Sequence, residues 1–138
     1  MESLTIKSVS GDGRIEFFDR VPFDSGLPLE KFWIRITDLN FSAAAEIDGK
    51  YTNFHPLKLF TDMAERWRGW AGEQQWLSIE NNLHLRCTQD PTGNVSIRIA
   101  LNSGPMGWDW SASATVVSEA GQLDAIARRA VAFFGNPR

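Results

Sequence analysis

The sequence predicts an α+β fold of about eight mainly antiparallel strands and two helices, in the order ββββ-α-ββββ-α. Three observations carry that prediction. Apolar and polar residues alternate along a series of short runs, the period of a strand with one buried face. Most of these runs are joined by hairpin-length turns, which imply antiparallel pairing. Two other stretches, one mid-chain and one C-terminal, repeat their apolar residues at helical spacing. The chain has 138 residues, which fits a single domain over 1–138. A chain of that size can hide about two-thirds of its unfolded surface without disulfides or metal.

Leu4–Val9 and Arg14–Asp19 alternate on either side of Ser10-Gly11-Asp12-Gly13, a turn whose glycines permit positive φ. The stretch 20–30 is a loop with Pro22, Gly26 and Pro28. Phe32, Ile34 and Ile36 share one face of the next strand, with Trp33, Arg35 and Thr37 on the other. After Asp38-Leu39-Asn40, a fourth run alternates from Phe41 to Asp48. Its small alanines leave room for a helix to pack over them.

Pro56 suits a first helical turn. Leu57, Phe60, Met63, Ala64 and Trp67 follow at helical spacing. Gly69 is placed as the residue after the helix, with Arg66 and Arg68 near the negative end of its dipole.

The second round starts at Gln75. Trp76–Glu80 and Leu83–Thr88 read as strands joined near Asn81-Asn82. A strict two-residue turn would set Ser78 opposite Leu85 and so mix the faces, which calls for a bulge or a longer turn. The next hairpin is better specified. Asp90-Pro91-Thr92-Gly93 fits a type I turn followed by a glycine bulge. That register pairs Asp90 with Asn94, Cys87 with Ile97, Leu85 with Ile99 and Leu83 with Leu101. Turn chemistry and burial then agree, and Cys87 becomes a buried, inert thiol. The last strand is placed over Trp108–Val116 and the last helix over Ala120–Phe134, ended by Gly135 and Pro137. The two rounds share a rhythm but no residue-level repeat.

Composition narrows the function. The net charge is −3, so there is no electrostatic footprint for nucleic acid. The lone Cys87 allows no internal disulfide and no cysteine-based zinc site, and suggests a reducing compartment. The N-terminal residues lack the basic and apolar regions of a signal peptide. No apolar run reaches the roughly 20 residues of a membrane helix. A cytoplasmic location is expected, with no membrane partner. Six tryptophans and nine phenylalanines suit the filling of a small core.

No catalytic constellation emerges, and no cofactor or metal is implied. His55 and His84 lack metal-ligand spacing and a nucleophile elbow is absent. Gly11-Asp12-Gly13 is too short for a dinucleotide fingerprint. Glu46 and Asp48 share a strand face, but charged residues are ordinary beside a turn. Two features point instead to binding. The segment from Trp67 to Trp76 concentrates three tryptophans with Arg68, Trp70 and Glu73, residue types frequent at interface hot spots. The predicted hairpin register also sets Arg86 opposite Arg98 on the outer face, an unfavourable pairing. It requires solvation, an acidic neighbour such as Asp109 or Glu80, or an anionic partner. Trp70, Arg68, Glu73, Arg86 and Arg98 are therefore the candidate partner- or ligand-binding residues. The structural alternative is that Trp67 and Trp76 close the core while Trp70 plugs the helix end.

The run Leu59–Ala64, Trp67-Arg68-Gly69-Trp70-Ala71-Gly72-Glu73, Trp76–Glu80, Leu83-His84-Leu85, Asp90 with Gly93, Val95–Leu101 and Trp108 resembles a bacterial family of unknown function. Its members are small single-domain proteins with an Arg-Gly-Trp-x-Gly-Glu core, and the likeness covers about residues 32–134. That family is distantly similar to WapI-type immunity proteins. The lack of a catalytic constellation, the surplus of tryptophan and the mild acidity point to a non-enzymatic protein-binding module; the resemblance implies that it is immunity-protein-like and supplies no catalytic residues. The alternatives are a small-molecule binder or enzyme using the Trp70 loop with Glu73, Glu80 or His84, and a homo-oligomer joined through a sheet edge or the Trp loop.

Overall fold

The computed structural model describes residues 3–21, 31–48, 56–104 and 109–135. His55, Trp108, Pro137 and the 22–30 loop lie outside the described residues.

Eight strands form two four-stranded antiparallel meanders, each followed by a helix. The first sheet holds β1 (Ser3–Lys7), β2 (Arg14–Val21), β3 (Lys31–Asp38) and β4 (Phe41–Asp48), then α1 (Leu57–Glu65). The second holds β5 (Gln74–Leu77), β6 (Leu83–Gln89), β7 (Asn94–Asn102) and β8 (Ser111–Glu119). A single 3-10 turn (Ala120–Gln122) then leads into α2 (Leu123–Phe134). The predicted order ββββ-α-ββββ-α is the one found.

The β6–β7 register is also as predicted: Leu83 faces Leu101, Leu85 faces Ile99, Cys87 faces Ile97 and Arg86 faces Arg98. The turn chemistry explains it. Asp90 Oδ1 accepts hydrogen bonds from Thr92 Oγ1 (2.7 Å), Thr92 N (2.9 Å) and Asn94 N (3.0 Å). The Thr92 hydroxyl, then the Asn94 amide, hold the Asp90 carboxyl below its ordinary pKa. Gly93 takes φ +88°, the bulge conformation that glycine adopts without strain.

Several boundaries differ from expectation, each for a visible reason. β1 stops at Lys7 because Ser8 and Val9 turn to meet β8. Val9 N donates to Val117 O (2.8 Å) and Val117 N donates to Ser8 Oγ (3.0 Å). β2 runs past Asp19 to Val21 by way of an irregularity in its pairing with β3, where Asp19 takes φ +49°. β5 lies at Gln74–Leu77 rather than 76–80, and its connection to β6 is the longer turn that mixed faces demanded. Asn81 there is left-handed, at φ +59°. β8 begins at Ser111, so Trp110 lies before the strand. α1 ends at Glu65, where Arg66 N is shared between Asp62 O and Met63 O. Gly69 is thus not the residue after the helix. It closes a further turn on Arg66 O.

The two ββββα halves grip each other reciprocally. The β1–β2 turn bonds the edge of β8, as above. The β5–β6 turn bonds the edge of β4, through Asn82 Nδ2 to Glu46 O at 3.1 Å. The helices lie against one another, while α2 reaches β1 and α1 reaches β5. A two-fold operation would generate such a pattern, although no sequence repeat shows it. It also protects sheet edges that would otherwise invite pairing. Arg129 adds to this by donating to Thr5 O on β1 at 2.8 Å.

The core divides by ring type. Phe17 sits at its aromatic centre, with ring centroids 5.4–6.4 Å from those of Phe32, Phe60, Phe133 and Phe134. The second sheet contributes aliphatics: Leu83, Leu85, Val95, Ile97, Ile99 and Leu101 are buried with Cys87. Tryptophan behaves otherwise. Among the described residues none is fully buried, and Trp67, expected to close the core, is 50% exposed. An indole N–H needs a hydrogen-bond partner that a phenyl ring does not.

Candidate functional site

Of the sequence-derived candidates, Arg86 and Arg98 stand side by side on the outer face of the second sheet, with Glu73 beside Arg86. Strand alternation puts Leu85 and Cys87 into the core and turns His84 and Arg86 outward. Arg98 and Ala100 turn outward from β7, Ser113 and Thr115 from β8, and Gln75 and Leu77 from β5. Paired residues form two rows across the face. One row is Gln75, Arg86, Arg98 and Thr115; the next is Leu77, His84, Ala100 and Ser113. Between them lies a hollow of about 260 Å³, lined by His84, Arg86, Arg98, Ala100, Ser113 and Thr115. Ala100 leaves room there because its side chain is a single methyl.

The two arginines are differently placed. Arg86 is held by Glu73 in a forked ion pair, with Nη2 3.0 Å from Oε2 and Nε 3.2 Å from Oε1. The acid that relieves the arginine pair is therefore Glu73. It is not Asp109 or Glu80, the nearest candidates by sequence. Glu73 precedes β5, and the β5–β6 pairing carries it to the end of the strand beside Arg86. Among the described residues Arg98 has no ion-pair partner. His84 Nε2 lies 2.8 Å from Gln75 Oε1.

Trp70 and Arg68 belong to the loop that leads into β5. The Trp70 indole donates to Cys87 O at 3.2 Å, and its ring packs against the core. Gln89 Nε2 donates to Trp67 O at 3.1 Å, which pins the loop to the far end of β6. Trp70 is thus anchored on β6, where the expectation put it at the helix end. Arg68 instead lies over the exposed Trp67 ring, its guanidinium carbon 5.2 Å from the centroid. Trp67, Leu77 and Ile79 are exposed apolar side chains, and Leu77 stands on the outer face opposite His84. Burial pushes the Cys87 thiol up to about 12, with a smaller contribution from the negative charge of Glu73. At neutral pH it is not a nucleophile.

Sequence reasoning missed Ser113 and Thr115 because nothing local marks them. They reach the hollow only through the β7–β8 register. Among the described residues no group of His, Cys, Asp or Glu side chains is arranged to hold a metal ion. No helix among them is long and apolar enough to cross a membrane. Glu46 is paired with Lys31 at 3.7 Å on the outer face of the first sheet, away from this hollow.

Fold and surface together define a two-sheet α+β protein whose second sheet turns an arginine-bearing face outward. The chain belongs to DUF6228, a family of unknown function, whose profile matches residues 6–137. No curated protein and no solved structure matches it.

Proposed function

We propose that this chain is a non-enzymatic protein-binding module whose binding surface is the outer face of the second sheet. The observation that carries the reading is the Arg86–Arg98 pair. Like charges directly opposite on neighbouring strands are destabilising, and Glu73 neutralises only one of them. The first sheet sets the contrast. On its two middle strands Glu16 faces Arg35 and pairs with it at 3.1 Å. Exposed Leu77 stands on the same face, in the row next to the arginines. Arginine is among the residues that most often dominate interface energetics.

The resemblance to WapI-type immunity proteins supports a narrower form of this reading. In it the partner is a protein toxin domain and the module works in the bacterial cytoplasm. The enzymatic or small-molecule alternative has less behind it, because the indole N–H of Trp70 is already engaged by Cys87 O.

The test is affinity purification from the native lysate, read by native mass spectrometry, with wild type beside an Arg98→Glu/Leu77→Glu double variant. A stoichiometric heterologous partner, retained by wild type and lost by a variant of unchanged circular dichroism, is the expected result. A partner held equally by both, or a wild type that carries only a small-molecule adduct or a second copy of itself, would refute the proposal.

A further inference from the structure

Building on that binding face, we infer that the hollow between Arg86 and Arg98 receives one carboxylate, so that the partner inserts an exposed aspartate or glutamate. Charge and donor geometry converge on this. Arg86 with Glu73 is close to neutral as a pair, and Arg98 adds one uncompensated positive charge. The hollow therefore suits a monoanion. A phosphate monoester carries about −1.5 to −2 at pH 7 and would leave excess negative charge beside Glu73. The Arg98 guanidinium offers the fork of donors that matches a carboxylate in two-pronged fashion. The hydroxyls of Ser113 and Thr115 line the wall opposite Arg86 and can donate as well. At about 260 Å³ the hollow is smaller than the roughly 300–1,000 Å³ typical of small-molecule sites. It has room for an acidic side chain together with the stretch of backbone that carries it.

The inserted carboxylate would also relieve the fold. It would stand between two arginines that the β6–β7 register forces together, as Glu16 does beside Arg35 in the first sheet. The cost carried by the free protein becomes part of the driving force for association, and salt should weaken the contact.

The experiment is an amide NMR titration of the purified protein with three blocked tripeptides of sequence Gly-X-Gly, where X is Glu, Gln or phosphoserine. Expected are shifts at Arg86, Arg98, Ser113 and Thr115 with the Glu peptide and none there with the Gln peptide. Arg98→Gln should weaken the Glu peptide at least about tenfold, through loss of the forked, charge-assisted contact. Glu73→Gln should reverse the preference in favour of phosphoserine, an outcome that a purely structural role for Glu73 does not produce. No shift by about 10 mM Glu peptide, where a Kd of about 1 mM would be near saturation, would overturn the inference. So would shifts insensitive to Arg98→Gln, or phosphoserine bound tenfold tighter by wild type. The module itself is judged separately. A lysate partner that survives Arg98→Gln but is lost on Leu77→Glu removes the carboxylate pocket and leaves the binding face.

Discussion

Ser78 is the most informative residue to remove. It is 2% exposed in the β5–β6 turn, and its hydroxyl does three things at once. Its Oγ accepts hydrogen bonds from Asn82 N and Leu83 N, both at 3.0 Å, and donates to Asn82 Oδ1 at 2.8 Å. Asn82 is itself buried and bonds Glu46 O across to β4. Ser78→Ala therefore strands two buried backbone N–H groups, and it frees the side chain that joins the halves of the molecule. An unsatisfied buried donor costs about 1–3 kcal/mol, so the expected loss is about 2–4 kcal/mol, allowing for partial relaxation. With a urea m value of about 2 kcal/mol/M, the unfolding midpoint should fall by about 1–2 M with m unchanged. The exposed hydroxyl of Ser113 is the control, and Ser113→Ala should change stability by less than about 0.5 kcal/mol. The same turn sets β5 on β6 and so carries Glu73 to Arg86. Ser78→Ala should also loosen that ion pair, visible as exchange broadening at Arg86 Nε. A loss below about 1 kcal/mol would refute the reasoning, since the turn would then be held by something other than the Ser78 hydroxyl.

Four further outcomes follow from the same structure. Cys87, its thiol raised to about 12 by burial, should resist thiol reagents at pH 8 until the protein unfolds; prompt modification of the native protein would contradict its placement. Its titration also has a definite sign. The folded state keeps this proton while the unfolded chain loses it above the ordinary value near 9.0. The contribution is complete below pH 9 and is lost at up to about 1.4 kcal/mol per pH unit between roughly pH 9 and 12. The stability difference between wild type and Cys87→Ala, measured at pH 8 and pH 10.5, isolates it. Arg98→Thr, which removes one member of the like-charged pair, should raise stability by about 0.2–1 kcal/mol at low salt, and a loss instead would mean that Arg98 is already compensated. Gly104→Ala should cost about 1–3 kcal/mol. Gly104 has φ +37°, and an added Cβ would lie 2.6 Å from Asn82 Cβ; a neutral result in thermal unfolding would show that the turn can shift.

The candidate face was half legible beforehand. Arg86 and Arg98 could be paired from sequence because Asp90-Pro91-Thr92-Gly93 dictates one register, and a period of two then assigns every side chain to a face. Glu73 could be singled out, but its role could not. It meets Arg86 only after the β5–β6 turn takes its length, and that length rests on the Ser78 hydroxyl rather than on Asn81-Asn82 alone. Trp67 fitted a helical stripe by spacing, yet α1 ends two residues before it and the indole points to solvent. Spacing shows which residues could share a face; it does not show where a helix stops.

The element order, the β6–β7 register, the buried thiol and the like-charged pair were all legible from local sequence, because each depends on turn chemistry or on strand and helix periodicity. Tertiary structure alone decided which acid answers Arg86. It also decided that phenylalanine rather than tryptophan fills the core, and that each half braces the last strand of the other. Those outcomes rest on contacts between residues far apart in the chain, as when Asn82 reaches Glu46 and Ser8 reaches Val117. No local pattern encodes such contacts, since they exist only once both sheets have formed and their edges must be satisfied.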